Sequence, residues 1–176
     1  MTVFLPPLTL VLGGAASGKS AYAESLAMKS TRPRIYIATA QAFDAEMKDK
    51  IADHQRVRGP DWTTIEAPVD LPAALGRVQP EDVVLIDCAT LWLSNIILAD
   101  QDVKQAKDDL LNALAAAPCP VVIVSNEVGQ GIVPDNALSR KFRNAQGRLN
   151  QDIAAKADTV VAVMAGLPLA LKGVVL

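Results

Sequence analysis

Apolar residues along this chain fall into short dense runs, and the polar positions between them return at helical spacing. The runs predict strands over Leu8–Leu12, Arg34–Thr39, Trp62–Glu66, Asp82–Asp87, Pro120–Ser125 and Asp158–Met164, with Leu169–Lys172 as a last edge strand. Four of these are stretches of Val, Ile and Leu without strict alternation, the pattern of strands buried on both faces. Helical spacing predicts Ser20–Met28, Phe43–Arg58, Leu71–Val78, Val103–Ala117 and Asn136–Ala157. Strand and helix alternate, so the pattern predicts an α/β fold: a mostly parallel, doubly wound sheet with helices on both faces. Pro118 and Pro120 mark a helix end and a strand start. No repeat, low-complexity tract or linker interrupts the chain, so residues 1–176 read as one domain.

Composition narrows the picture. Hydrophobic residues make up 51% of the 176 positions but aromatics only 4%, so the core is aliphatic and alanine-rich. A formal net charge of −2 supplies no general attraction to nucleic acid or to acidic membranes, which points to a small-molecule substrate. Two cysteines, Cys88 and Cys119, are too few for a disulfide framework and read as small core residues. Residues 1–12 lack a basic, cleavable leader, and no apolar run reaches membrane-spanning length, so a cytoplasmic location is expected.

The chemistry begins at Gly13-Gly14-Ala15-Ala16-Ser17-Gly18-Lys19-Ser20, directly after the first apolar run. This fits G-x-x-x-x-G-K-[ST], the P-loop. Its backbone N–H groups wrap phosphate oxygens, its lysine reaches the β/γ-phosphates and its terminal hydroxyl ligates Mg²⁺. The helix leaving the loop aims its positive end at the anion. A second acid is needed for the metal, and Val83-Val84-Leu85-Ile86-Asp87 supplies one where a strand emerges, in the manner of a Walker B element. Glu127 is the next strand-end acid; it fits a general base, a support to the metal site or a loop carboxylate equally well.

His54 is the chain's single histidine. It extends the edge of a stripe formed by Phe43, Met47 and Ile51, where a packed residue and a catalyst both fit. Arg56 and Arg58 beside it favour the second, because guanidinium groups hold a phosphate next to the imidazole. A neutral imidazole can then attack phosphorus and form a phosphoramidate.

Further segments make a resemblance specific: Tyr36-Ile37-Ala38-Thr39-Ala40, Asp44-Ala45-Glu46-Met47, Ile51 to His54, Arg58, and Trp62 to Pro68. Asp87-Cys88-Ala89-Thr90-Leu91-Trp92-Leu93-Ser94-Asn95, Asn126-Glu127-Val128-Gly129-Gln130-Gly131-Ile132-Val133-Pro134, Phe142-Arg143, Asn150-Gln151 and Ala165 to Leu169 complete the set. With the P-loop and the single histidine, this chain resembles, nearly end to end, the bifunctional adenosylcobinamide kinases / adenosylcobinamide-phosphate guanylyltransferases of cobalamin biosynthesis.

The resemblance implies a RecA-like P-loop fold and a two-step enzyme. A nucleoside triphosphate, ATP or GTP, phosphorylates the hydroxyl of the aminopropanol arm of adenosylcobinamide. GTP then transfers GMP to His54 with release of pyrophosphate, and the phosphorylated corrinoid takes up the GMP to give adenosylcobinamide-GDP. Lys19 and His54 are the implied catalytic residues. Gly13, Gly14, Ala15, Ala16, Ser17, Gly18, Lys19 and Ser20 would hold the nucleotide, with Ile37, Ala38, Thr39, Gln55, Arg56, Val57, Arg58, Glu66 and Asp87 completing its site. Ser20 and Asp87 would serve Mg²⁺. A homotrimer is implied as well. Its contact is expected to draw on the apolar run Leu91, Trp92, Leu93, Ile96, Ile97 and Leu98, more than one helix usually hides in a small domain.

Two positions depart from the family pattern: Ala16 stands where arginine is common, and Asn144 where an aspartate is usual. Neither touches Lys19, Ser20, His54 or Asp87. Two rival readings remain at this stage. One is a P-loop kinase in which His54 only packs. The other is a GTP-dependent switch, against which counts the lack of the Asn-Lys-x-Asp guanine-reading signature.

Overall fold

In the computed structural model the residues described are 4–41 and 59–175. The chain builds one seven-stranded sheet: β1 (Leu8–Gly13), β2 (Arg34–Ala38), β3 (Trp62–Glu66), β4 (Val83–Asp87), β5 (Val121–Asn126), β6 (Thr159–Met164) and β7 (Leu167–Lys172). The helices are α1 (Lys19–Lys29), α2 (Leu71–Leu75), α3 (Ala89–Leu98), α4 (Val103–Ala116) and α5 (Ala137–Lys156). Strand order is β3-β2-β4-β5-β1-β6-β7, parallel throughout except for the antiparallel β6–β7 pair.

Side-chain alternation sends each central strand's residues to two cores. Val11, Tyr36, Leu85, Val122 and Val161 meet α1 through Ala23, Leu26 and Ala27. Leu10, Ile37, Ile86, Ile123 and Val160 meet helices α2 to α5 on the opposite face. Both faces of β1, β4 and β5 are therefore dry, which is why these strands read as unbroken apolar runs.

Each strand lies within two residues of its expected span. Helix α2 stops at Leu75 instead of Val78: Gly76 makes the last i→i−4 bond, to Pro72 O, and the next N–H, of Arg77, bonds the i−3 carbonyl of Ala74 in a turn. Helix α3 is absent from the expected helices: its apolar run has no polar face to set a period, and hydropathy alone does not separate a buried helix from a strand. Most of that run turns inward. Trp92, Leu93 and Ile96 are at most 1% exposed, leaving only Leu91 and Leu98 on the surface. Side-chain oxygens cap three helices: Asp70 Oδ1 accepts from Ala73 N, Asp102 Oδ1 from Lys104 N and Gln105 N, and Asn136 Oδ1 from Ser139 N. Each such cap is worth about 1 kcal/mol. The expected helix Phe43–Arg58 lies outside the described residues.

The hairpin between β6 and β7 turns through Ala165 and Gly166, both left-handed at φ 52° and 76°. Two such residues make the tight turn whose twist matches paired strands. β7 leaves Leu167, Leu169 and Leu171 more than half exposed, with Met164 of β6 alongside.

Candidate active site

The strand register brings the sequence-predicted residues to one edge of the sheet. Gly13 at the end of β1 is level with Asn126 of β5. Asp87 of β4 is level with Val124 on one side and Ala38 on the other, and Ala38 with Glu66. Parallel sheets bind ligands at this carboxyl edge, where helix N-termini and strand ends converge.

The P-loop leaves β1 at Gly13 and enters α1 at Lys19. Gly18 caps the helix at φ 91°, a conformation that suits glycine, and no side chain occupies the helix's first N–H groups. Those amides stay open to an anion. Packing constrains the loop from behind. A Cβ on Gly13 would lie 2.3 Å from Ser17 Oγ and 2.7 Å from the carbonyl of Val163; one on Gly18 would lie 3.0 Å from Gly166 Cα. Gly166 N also donates to Ser17 O at 2.8 Å, so the β6–β7 turn buttresses the loop. Lys19 Nζ donates to Gly14 O at 3.0 Å across the loop's mouth. Ser17 Oγ is buried without a partner.

Asp87 sits half-buried at the end of β4, and its carboxylate forms no ion pair among the described residues. Its charge and, above all, burial push the Cys88 thiol's pKa up. Ser20 Oγ and the Asp87 carboxylate are hard oxygen donors. They fit Mg²⁺, which is commonly held by one or two protein oxygens together with substrate phosphates and water.

Two hydrogen-bond clusters, neither foreseen from the sequence, hold the strand ends beside these residues. At β2, Thr39 is fully buried; its hydroxyl accepts from Cys88 N at 2.7 Å and donates to Cys88 O at 2.8 Å. Asn95 of α3 donates to Thr39 O and Pro68 O, both at 2.8 Å. Thr39 therefore ties β2 to β4 through its side chain, while Ile37 is buried in the sheet. At β5, Ser125 Oγ donates to Asn150 Oδ1 at 2.6 Å, and Gln146 Nε2 donates to both oxygens. Asn150 Nδ2 donates to Asn126 O at 3.0 Å, and Thr90 Oγ1 accepts from Asn126 N at 2.8 Å. A Gln-x-x-x-Asn pattern in helix α5 is no recognised motif, which is why sequence reading passes over it.

Glu66 ends β3 and lines a cleft of about 330 Å³ together with Asp70 and Arg77. Trp92 is buried and donates Nε1–H to Val69 O, so packing is its role. Lys107 pairs with Asp152 at 2.6 Å and joins Lys104, Lys141, Asn144 and Arg148 along a groove between α4 and α5. His54, Gln55, Arg56, Val57 and Arg58 lie outside the described residues. Among those described, no helix is long and apolar enough to cross a membrane.

A parallel sheet with an anion-ready loop after its first strand, and an acid two strands away, defines a RecA-like P-loop nucleotide-binding protein. Solved structures agree on the fold. A type III secretion system ATPase superposes with a TM-score of 0.59 at 11% identity, over 93% of this chain and 56% of that one. A Pyrococcus horikoshii protein gives 0.57 at 8% identity, over 99% of this chain and 90% of its own. The family model for cobinamide kinase / cobinamide phosphate guanyltransferase matches residues 9–171. The bifunctional adenosylcobalamin biosynthesis protein CobP of Pseudomonas aeruginosa is 44% identical over 167 residues, 93% of this chain and 96% of that protein. The corresponding protein CobU of Salmonella typhimurium is 39% identical over 181 residues, 94% and 99% of the two chains. This chain belongs to the cobinamide kinase / cobinamide phosphate guanyltransferase family. It is a nucleotide-using transferase of cobalamin biosynthesis, with both kinase and guanylyltransferase activity.

Proposed function

We propose that the chain phosphorylates adenosylcobinamide and then guanylylates the product through His54, with both nucleotides drawn to the P-loop edge of the sheet. The observation that carries this reading is the open loop that leaves β1 at Gly13, level with the Asn126 strand end, on the same sheet edge as Asp87 two strands away.

In the first step the open amides of α1 and the P-loop hold the phosphates. Lys19 exchanges its bond to Gly14 O for the β/γ oxygens and neutralises charge that grows as the phosphoryl group leaves. Ser20 and Asp87 would hold Mg²⁺, which when bound withdraws charge from the phosphates. In the second step an imidazole nitrogen of His54 attacks the α-phosphorus of GTP, the α–β bridging bond breaks and pyrophosphate leaves. Arg56 and Arg58 orient the phosphates, with Gln55 and Val57 of the same segment. Glu66, Ala38 and the main chain of Ile37 and Thr39 complete the site. The phosphate of the corrinoid then displaces His54 from phosphorus, releasing adenosylcobinamide-GDP. We place residues 1–176 in a single catalytic domain that works in the cytoplasm as a homotrimer. The exposed leucines of β7 support the trimer better than α3, whose apolar residues are mostly spent inside the chain.

The test is labelled GTP without corrinoid. Label in the α-phosphate should attach to the protein and γ-label should not. The adduct should be acid-labile and stable to mild alkali, as a phosphoramidate is and an ester on Ser17, Ser20 or Thr39 is not. His54→Ala should abolish the labelling, yet keep phosphorylating adenosylcobinamide. Lys19→Ala should lose at least about a hundredfold in kinase turnover while staying folded. Normal α-label uptake by His54→Ala would return the histidine to a packing role.

A further inference from the structure

Glu127 has no part in the two steps above, yet its backbone and its carboxylate are both held in place. Both backbone groups of the preceding residue, Asn126, are held by side chains: its N–H by Thr90 Oγ1 and its carbonyl by Asn150 Nδ2. Glu127 N then donates to Gly13 O at 3.0 Å, which joins it to the root of the P-loop. Three consecutive main-chain anchors therefore set the glutamate against the nucleotide loop. Behind them Ser125 and Gln146 are fully buried and Asn150 is nearly so.

The side chain is oriented too. Glu127 Oε1 accepts from Gly129 N at 2.5 Å, which leaves Oε2 available. A Cβ on Gly129 would stand 2.8 Å from Oε1, so only glycine there allows this carboxylate position. Glu127 also borders a cleft of about 350 Å³ that runs between α5 and the β1–β6–β7 face past Leu12, Gly147, Asn150 and Leu171. Gly147 meets no atom within 4 Å of where a Cβ would be. A glycine inside a helix costs about 1 kcal/mol relative to alanine, and here no packing within the chain requires it. It keeps the cleft wide beside Glu127.

We propose that Glu127 is the general base of the phosphorylation step and that the cleft beside it admits the alcohol arm of the acceptor. The inference rests on the kinase reading above and assigns a further residue to it. As the acceptor oxygen bonds to the γ-phosphorus, its O–H proton passes to Glu127 Oε2. The β–γ bridging bond breaks, and the nucleoside diphosphate carries away its electron pair. The two strand-end acids thus divide the work: Asp87 at the end of β4 serves the metal and Glu127, the residue after β5, receives the proton. A base anchored at one oxygen needs little reorganisation, and such catalysis contributes about 10²–10⁴-fold.

Glu127→Gln keeps the shape and the acceptor for Gly129 N–H but removes the basicity. Adenosylcobinamide phosphorylation should lose at least about a hundredfold in kcat with the nucleotide KM within about twofold. Uptake of α-label from GTP in the absence of corrinoid needs no acceptor hydroxyl and should stay at the wild-type level. Gly129→Ala, which displaces the carboxylate without removing it, should give an intermediate loss of kcat. The proposal is overturned if Glu127→Gln turns over within about threefold of wild type. Recovery of the lost rate at high Mg²⁺ would also overturn it, since the carboxylate would then be a metal ligand, as would a parallel loss of α-label uptake. A wild-type chain that phosphorylates no corrinoid would instead sink the kinase reading itself.

Discussion

The centre of the sheet and its edge strand β7 are both built from apolar residues and end in opposite states. In β1, β4 and β5, residues such as Leu10, Val84 and Ile123 are wholly buried between two helical layers. In β7, Leu167, Leu169 and Leu171 are 72%, 64% and 59% exposed, because among the described residues no helix covers that end of the sheet. Yet the edge is not slack. Its turn donates Gly166 N–H to Ser17 O and backs Gly18 at 3.0 Å, so the hairpin shapes the phosphate loop that the central strands only deliver. Apolar content sets what can be buried; the number of layers sets what is.

The contrast breaks first under truncation. Ile123→Ala, inside the dry centre, should cost about 2–5 kcal/mol in chemical denaturation, since it leaves a cavity between fixed neighbours. Leu169→Glu should change the same measurement by no more than about 0.5 kcal/mol, as exposed substitutions usually do. If β7 carries the contact of the proposed trimer, light scattering should also show the mass shift from three chains toward one, because a carboxylate on an apolar interface strand cannot be desolvated cheaply. A large stability loss at Leu169 with unchanged mass would show that the edge is buried within its own chain.

The buttress is the next effect in size. Gly166 has open space for a Cβ, but its φ of 76° strains any L side chain. Gly166→Ala should therefore cost about 1–2 kcal/mol. It should also raise the KM for nucleotide while kcat changes little, since the loop and not the chemistry is disturbed. An unchanged nucleotide KM would separate the hairpin from the loop.

The effect smallest at neutral pH, where the thiol is protonated in the folded and the unfolded chain alike, is at Cys119, at the opposite end of β5. Burial, helped by Asp82 and opposed by Arg32, pushes its thiol pKa up to about 11 from an ordinary 9.0. The folded chain holds this proton where the unfolded chain has lost it. The contribution is complete below pH 9 and disappears as pH rises toward 11. Denaturation midpoints should fall across that window in the wild type and fall less in Cys119→Ala.

The two halves of the site differ in how far they can be read from a string of residues. Gly13 to Ser20 and Asp87 act through main-chain geometry and strand-end position, which local sequence encodes, so motif and spacing suffice. The supports do not work that way. Thr39 meets Cys88 across 49 residues, Asn95 meets Thr39 across 56, and Thr90 meets Asn126 across 36. A polar residue in an apolar helix looks alike whether it caps a strand or faces water, until the sheet order puts β5 between β1 and β4. Helix α3 failed to stand out for a related reason: with nearly every side apolar, its period had nothing to contrast with.

By itself, then, the sequence determined the alternation of strand and helix, the phosphate loop, the Asp87 position and the family. Each of these is written in contiguous residues whose physics is local: turn glycines, strand runs, helix caps. Tertiary structure alone decided which carboxyl ends are neighbours, that Glu127 is anchored to Gly13, and that the hairpin supports the loop. It also decided that the Trp92 run turns inward while β7 keeps its leucines outside. Those outcomes depend on strand order and on which faces receive a helix, and both are set by packing among segments far apart in the chain.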